Sequence, residues 1–543
     1  MKGSDLLVKC LENEGVEYVF GIPGEETLDL MESLSKSSIN FILTRHEQGA
    51  AFMANVYGRL AGKPGVCLAT LGPGATNLIT GVADAQLDRA PLVAITGQAP
   101  LEAIHKESHQ YIDVVQTFKF ITKWNRTITK ASFIPEMVRK AFKIAMVTPG
   151  ATHLELPEDV AQEECDGRPL AKEKVYRRIE PDEEAVHEAA ELIRVSSYPV
   201  ILAGNGVIRA SASEELLEFA RENEIPVVNT FMGKGAISAR EELYLGTIGL
   251  QSRDYVECGL ERADLVISVG YDLVEYAPKL WNPGEKTIIH IDTKTAEIDE
   301  HYQPKLELVG NIGATLRILT GHTGFKKGVD YSKKLRNFMI DELERFRDDT
   351  SFPLKPQRVV SDIRRVLRDD DILVCDVGAH KLWIARLYPA YSPNTVIISN
   401  GFASMGIALP GAIAAKLVHP GKHVVAAMGD GGFLMNEQEL ETAIRLGLGF
   451  VVVIFNDSKY GMIEWNQFNR SKESYGVEFT NPDFVKLAES YGAIGVRLEE
   501  GDSLTGIIEE GVASNELWVI DVPVDYSENI KLSQKLGQNV CQF

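Results

Sequence analysis

Cysteine is scarce in this chain. It has six among 543 residues, at positions 10, 67, 165, 258, 375 and 541. None forms a Cys-x-x-Cys pair. Neither a disulfide framework nor a structural zinc site is expected, and a reducing compartment, the cytoplasm, is. Long apolar runs are missing too. None approaches the ~20 residues that cross a bilayer. The first ten residues lack the apolar core of a secretory signal, so no membrane partner is expected. Positive charge is in deficit, with 56 Lys and Arg against 77 Asp and Glu and a net charge of −21. No Lys/Arg run is long enough for a nucleic-acid footprint, so nucleic acid is not expected as a partner. Low-complexity tracts and short repeats are absent as well.

Ordinary globular material is present in quantity. Hydrophobic residues make up 45% and charged residues 24%, enough for several cores. The length suggests about three domains. Short β-branched runs ending in Gly or Pro alternate with helical stretches. The pattern reads as α/β, with parallel sheets buried on both faces. Strands are expected around residues 18–24, 41–47, 65–74, 91–97 and 151–157. A charged linker follows at 162–184. A second set falls around 199–206, 225–231, 264–270 and 286–293, ending near 312. A charged helical and then Pro-rich connector precedes a third set around 371–378, 394–401, 423–431, 450–457 and 517–524. This gives three doubly wound parallel-sheet domains, 1–165, 185–320 and 356–543. Ligand sites are expected at strand C-terminal ends or between units.

The segment richest in chemistry lies in the third unit. One strand ends at Gly429-Asp430-Gly431-Gly432 and the next at Asn456-Asp457-Ser458, with one helix expected between them over 435–446. Both strand ends of a βαβ unit emerge on the same sheet edge. Asp430 and Asp457 can therefore face one ion, and two oxygen ligands suit Mg²⁺ or Ca²⁺. Gly431 and Gly432 let backbone N–H groups approach a diphosphate at a helix start. On these residues alone, a Gly-rich turn with two capping acids explains the segment equally well.

The spacing also resembles the signature of thiamin-diphosphate enzymes: Gly-Asp-Gly, a gap in the mid-twenties, then Asn-Asn. Here 24 residues, 432 to 455, separate Gly431 from Asn456, and Asp457 stands where the family most often has Asn. The resemblance implies the thiamin-diphosphate-binding fold, with a pyrimidine-binding first domain, a Rossmann-like centre and a diphosphate- and Mg²⁺-binding third domain. It implies Mg²⁺ held by Asp430, Asp457 and the backbone carbonyl of Lys459, with Gly429, Tyr460, Gly461 and Met462 against the cofactor. Glu47, otherwise one acid among 77, matches the glutamate that activates the aminopyrimidine ring. It is not part of a His-Glu-x-x-His zinc motif, because Ala50 stands at the second His position. Pro23 and Gly24 match the loop approaching the pyrimidine. Gly72 and Asn77 match the turn beside it. Gln110 and Phe118 match residues facing the reaction centre. Ser404 and Met405 lie in the strip that grips the pyrimidine, with Met405, otherwise a core methionine, wedged between the cofactor rings. Gly378 and His380 match a turn at the diphosphate, where His380 could donate.

Across its whole length the chain resembles the acetolactate synthases of the catabolic, FAD-independent type. The segments that carry this are Tyr271 to Tyr276, Trp281-Asn282, Thr287 to Asp292 and Asp521 to Ser527. The implied reaction joins two pyruvates into 2-acetolactate and CO₂ through a thiamin ylid and a hydroxyethyl enamine, in an apolar pocket that favours loss of the carboxylate charge. Some positions depart from the family: Glu25-Glu26 follow the loop where Lys is common, Lys119 stands for Gln, and Asn466 rather than Trp465 occupies the acceptor-side position. Gly204-Asn205-Gly206 would need a third glycine at 209 to spell a dinucleotide fingerprint, and Arg209 is there. FAD is not expected. Family sites combine the first unit of one subunit with the third of another, which implies at least a homodimer and commonly a homotetramer. Alternatives are another thiamin-diphosphate 2-oxo-acid decarboxylase or carboligase, a pyruvate oxidase, or a non-enzymatic paralogue.

Overall fold

A computed structural model describes residues 1–171, 179–249, 255–284, 286–328 and 330–529. It contains three six-stranded sheets. The first holds β1 (Tyr18–Gly21), β2 (Asn40–Leu43), β3 (Gly65–Ala69), β4 (Leu92–Gln98), β5 (Trp124–Thr127) and β6 (Ala151–Pro157). The second holds β7 (Pro199–Ala203), β8 (Val227–Asn229), β9 (Tyr244–Thr247), β10 (Leu265–Val269), β11 (Thr287–Asp292) and β12 (Leu306–Val309). The third holds β13 (Ile372–Cys375), β14 (Val396–Ile398), β15 (Val424–Gly429), β16 (Phe450–Asn456), β17 (Ile494–Arg497) and β18 (Leu517–Pro523).

Every pairing within these sheets is parallel. The first sheet runs β2-β1-β3-β4-β6-β5 and the third β14-β13-β15-β16-β18-β17, the same order. The second runs β12-β11-β10-β7-β8-β9, the doubly wound order associated with dinucleotide binding, whose switch point lies between β7 and β10. Central strands are apolar because helices cover both faces; β15 is buried from Val424 through Met428. The α/β class expected from the sequence is thus found.

Four strands went unanticipated: β5, β9, β12 and β17. All four are edges of their sheets. Edge strands need only partial burial, and β5 and β17 carry no continuous apolar run. The helix expected over 435–446 is replaced by a one-turn helix, Asp430–Phe433, and a later one, Glu439–Arg445. The helix Asp330–Arg345, read as part of a connector, buries Leu335 and Met339 in the central core. Residues 172–178 of the charged linker lie outside the described residues.

The first and third units share one core. The helix Glu47–Ala61, rich in Ala and Gly, lies against the helix Ala408–Val418, and residues of both belong to a single buried cluster. Small side chains let the two backbones approach closely. Gly411, for example, has room only for hydrogen, since a Cβ would fall 3.0 Å from Val56 and Val374.

Candidate functional site

The C-terminal edge of the third sheet gathers the acidic residues. β15 and β16 are adjacent, with Gly429 opposite Phe455, so Asp430 and Asp457 leave the sheet side by side. Asp430 is buried at 2% exposure. Its Oδ1 accepts from the Gly431 N–H (2.8 Å), and its Oδ2 accepts from the Ser458 N–H (2.7 Å) and Asn481 Nδ2 (2.8 Å). Asn481 also donates to Asn456 Oδ1 at 3.0 Å, which locks the two strand ends together. Burial, and then the Asp430 carboxylate, push Asp457 up to about 7; burial also raises Asp430. A Cβ at Gly461 would fall 2.8 Å from Asp457 Oδ2, so only glycine leaves that carboxylate room.

Two largely buried carboxylates with raised pKa values form a donor set short of a positive charge. Hard oxygens at adjacent strand ends fit a divalent cation such as Mg²⁺. Lys459 does not neutralise them, because its Nζ pairs with Glu464 at 2.7 Å and Glu478 at 3.2 Å. Its contribution to a cation would have to come from its backbone carbonyl. Among the described residues no three His, Cys, Asp or Glu side chains converge to hold a metal, so a cation here would need backbone or ligand oxygens as well. Tyr526 packs beside the pair, its hydroxyl raised by burial and then by Asp457 and Asp430. A cavity of about 450 Å³ opens from Asp457 past Trp465 and Tyr526.

His380 lies behind Gly429. It is 1% exposed, and its ring stacks on Phe455 with centroids 5.3 Å apart. Among the described residues neither ring nitrogen makes a well-formed hydrogen bond, although the Asp376 backbone lies close enough to favour the charged ring slightly. Burial pushes its pKa down to about 3, so the ring is neutral and carries one N–H and one acceptor. Leaving both unpaired costs free energy unless a ligand satisfies one. A Cβ at Gly378 would fall 2.8 Å from this ring and one at Gly429 3.4 Å away. The glycines keep the approach to the imidazole open, and that cradle fits an anionic diphosphate.

The strip 400–406 is tied to the same edge. The Gly406 N–H donates to both oxygens of Asp376 (2.9 and 3.0 Å), and Asn436 Nδ2 donates to the Gly406 carbonyl (2.9 Å). Burial pushes Asp376 up to about 7. Ser404 and Met405 are half-buried.

Glu47 opens its helix at the end of the turn after β2. The His46 ring caps that helix by accepting from the Gln48 N–H at 3.1 Å. Glu47 is 8% exposed, and its Oε2 accepts from Asn77 Nδ2 at 2.9 Å. Its Oε1 would lie 3.3 Å from a Cβ at Gly74. Buried Glu439 of the third unit accepts from the Arg45 and His46 N–H groups, both at 3.0 Å, and fixes the turn that presents Glu47. Gly72 is left-handed, and a Cβ there would strike the Gln110 carbonyl at 2.4 Å. Exposed Gln110 therefore sits at the Gly72–Asn77 turn. Gly24 packs on Thr70, which donates to Glu26 at 2.6 Å, while Pro23 and Glu25 are exposed. Phe118 is fully buried in the core, its ring stacked on His153 at 4.5 Å.

The structure thus gathers Gly378, His380, Gly429 to Gly432, Asp457 and Gly461 on one sheet edge, with Tyr460 packed against Gly431. It gathers Glu47, Gly72, Asn77 and Gln110 on another. Asp376, Asn436, Glu439 and Asn481 also belong to these clusters, and no sequence motif marked them; Tyr526 belongs as well, and it lies in the Asp521–Ser527 segment that carried the resemblance.

Three descriptions match the chain in order: thiamine pyrophosphate enzyme, N-terminal TPP binding domain, over 1–117; its central domain over 186–319; and its C-terminal TPP binding domain over 376–522. The chain is 38% identical to the acetolactate synthase of Bacillus subtilis (strain 168), covering 98% of this chain and 95% of that protein. It is 35% identical to the catabolic acetolactate synthase of Raoultella terrigena over 98% and 97% of the two chains. It is 32% identical to the acetolactate synthase large subunit of Haemophilus influenzae over 99% and 97%.

Proposed function

Because the chain belongs to the thiamine pyrophosphate enzymes, in the acetolactate synthase family, we propose that it condenses two pyruvates to 2-acetolactate and CO₂. The observation that carries this reading is the sheet edge where Asp430 and Asp457 need a cation and buried His380 lacks a well-formed hydrogen bond. Thiamin diphosphate, when bound, supplies the electron sink that lets a 2-oxo acid lose CO₂ and attack a second carbonyl.

The chain's own residues bind, orient and move a proton. Asp430, Asp457 and the Lys459 carbonyl hold Mg²⁺. His380 gives its N–H to the diphosphate, with Gly378, Gly429, Gly431 and Gly432 leaving room for it. Pro23, Gly24, Gly72, Ser404, Met405, Tyr460, Gly461 and Met462 line the cofactor. Asn77 fixes Oε2 of Glu47, leaving Oε1 to hold a proton against the pyrimidine ring. Gln110 is assigned to the 2-oxo acid and Phe118 to the apolar wall behind it. The domain boundaries are taken as 1–165, 185–320 and 356–543.

FAD has no place in this reading. The Asn205 N–H, where a dinucleotide pyrophosphate would dock, already donates to the Glu275 carboxylate at 3.1 Å. Gly204 and Gly206 serve close packing on Gly270: Cβ atoms there would fall 2.3 and 2.5 Å from it. Large apolar side chains near the site, among them Phe402, Met435 and Ile463, are exposed in the single chain. They support a homodimer at least, and a homotetramer as the working assembly. Cys10, Cys67, Cys165 and Cys375 are unpaired, in keeping with the cytoplasm. No described helix is long and apolar enough to cross a membrane.

The direct test is incubation with pyruvate, Mg²⁺ and thiamin diphosphate, followed by acidification and an acetoin assay. Acetoin and CO₂ are the expected products. CO₂ with acetaldehyde alone would make the protein a decarboxylase, and no CO₂ would remove the reading altogether.

A further inference from the structure

The strip 400–406 carries strain. Ala403 sits at φ +56°, in the left-handed region that disfavours side chains, and Gly406 at φ +90°. Such a segment holds its shape only where its surroundings dictate it. Much of what dictates it comes from outside the third unit. Asp84 and Asp88, at and just beyond the end of the helix Gly72–Leu87 in the first unit, are 0% and 1% exposed. Asp84 Oδ2 accepts from Ser399 Oγ at 2.6 Å and the Ser404 N–H at 3.4 Å. Asp88 Oδ1 accepts from the Gly401 N–H at 2.6 Å and the Asn400 N–H at 3.3 Å. The fit is close: a Cβ at Gly401 would lie 2.8 Å from Asp88 Oδ1 and 3.0 Å from the Leu87 carbonyl.

The acids are themselves fixed. Asn55 Nδ2 donates to Asp84 Oδ1 at 2.8 Å, and Arg59 Nη1 lies 3.5 Å from Asp88. Lys381 Nζ holds the other side of the strip through the Ser399 carbonyl (3.3 Å) and Asn400 Oδ1 (3.1 Å). Burial and the neighbouring Asp88 carboxylate push Asp84 up to about 8. The pair is therefore costly to keep, and a purely structural seam would be served as well by apolar residues.

The helix has a second attachment. Asn77, seven residues before Asp84, donates to Glu47. At a rise of about 1.5 Å per residue the two attachments lie roughly 10 Å apart along one rigid rod.

We infer that Asp84 and Asp88 are positioning residues for the reaction: from the first unit they hold Ser404 and Met405 in the shape that receives the cofactor's pyrimidine ring. The inference rests on the proposed cofactor site and adds to it two acids that touch neither cofactor nor substrate. The helix Gly72–Leu87 then orients Glu47 at one end and the pyrimidine strip at the other.

The test uses the full-length protein and the variants Asp88→Asn and Ser399→Ala. Each is titrated with thiamin diphosphate at saturating Mg²⁺, and near-UV circular dichroism of the bound cofactor, kcat, KM for pyruvate and melting of the cofactor-free protein are recorded. Loss of one such hydrogen bond should raise half-saturating thiamin diphosphate by about fivefold or more. It should also change the cofactor's dichroism while KM for pyruvate stays within about twofold. Half-saturation within about twofold of the parent in folded variants would overturn the inference. If Asp88→Asn does not fold, Ser399→Ala decides by the same readings, since it removes one hydroxyl and leaves both acids in place. Calorimetric binding of thiamin diphosphate by the parent separates the two failures. A parent that binds none sinks the cofactor site itself, and a parent that binds normally beside unshifted variants sinks only the roles of Asp84 and Asp88.

Discussion

Replacing Asp457 with Asn should stabilise the metal-free protein at alkaline pH while leaving an oxygen ligand for Mg²⁺. Asp457 is raised from 3.8 to about 7, first by burial and then by the Asp430 carboxylate. A carboxyl whose folded pKa lies above its unfolded one binds its proton more tightly in the native state. Its stabilisation is complete below pH 3.8 and is lost as pH rises through 7. A pKa moved by one pH unit corresponds to about 1.36 kcal/mol, so the rise at Asp457 amounts to about 4 kcal/mol by pH 8. The side chain keeps some contact with water, which discounts the figure to about 2–4 kcal/mol. Because the first and third units share one core, they should melt together as a body of about 350 residues, and the shift is then on the order of 3–5 °C. The assay is thermal unfolding in EDTA, parent against Asp457→Asn, at pH 5 and pH 8. The variant should melt higher at pH 8, with the gap at least halved at pH 5. Adding Mg²⁺ should raise the parent's melting temperature more at pH 8 than at pH 5. A gap that does not depend on pH, or a variant that is less stable at pH 8, would refute the account of two carboxylates held together without a cation.

Glu47→Gln should fold and bind thiamin diphosphate but lose turnover by about 10²–10⁴, the scale of a lost proton-transfer group; near-parental kcat with saturating cofactor would dismiss its role. His380→Phe should be neutral or mildly stabilising without cofactor, since it removes two buried nitrogens that make no well-formed hydrogen bond and keeps a ring on Phe455. It should raise half-saturating thiamin diphosphate about tenfold or more, the value of a hydrogen bond to a charged group, and unchanged half-saturation would contradict the assignment. Because burial holds His380 neutral, with its pKa near 3, this imidazole should add no pH dependence to cofactor binding between pH 5.5 and 8 in a binding titration.

Much of the architecture is legible in the residues because a parallel sheet buried on both faces writes itself as apolar runs ended by glycine. That signal fails at edges: Trp124–Thr127 and Ile494–Arg497 are strands with one open side and mixed polarity. The acidic loop was legible because Asp430 and Asp457 sit at strand ends with glycine neighbours. Asn481 was not, since it lies 51 residues beyond Asp430 on no recognisable pattern, and only the folded loop brings its amide to that carboxylate. Asp84 and Asp88 did leave a trace, two acids one helical turn apart in the stretch Gly81–Asp88 that holds, besides them, only small or apolar residues and Gln86. Acids in so apolar a helix can be kept only by partners, and the sequence does not say which.

The matched strand order of the first and third sheets explains why the two half-sites fall where they do. In a parallel sheet the crevice beyond the strand C-termini opens where the order reverses, here beside β1 and β3 in one sheet and β13 and β15 in the other. Pro23-Gly24 follows β1, and Gly378 with His380 follows β13. Glu47 follows β2, and the strip 400–406 follows β14. Gly72 follows β3 and Asp430 follows β15. Gln110 comes after β4 and Asp457 after β16. Four loops in one unit therefore stand at the same four strand ends as four loops in the other. One set presents a glutamate and an amide, and the other presents two aspartates, a neutral imidazole and open glycine turns. On the proposed reading the first would take the cofactor's heterocycle and the second its diphosphate with a metal ion, so two copies of one topology would divide a single elongated cofactor by chemistry. The central sheet lacks this division. At its own switch point, between β7 and β10, the Asn205 N–H already donates to the Glu275 carboxylate, which leaves one backbone donor fewer for a pyrophosphate.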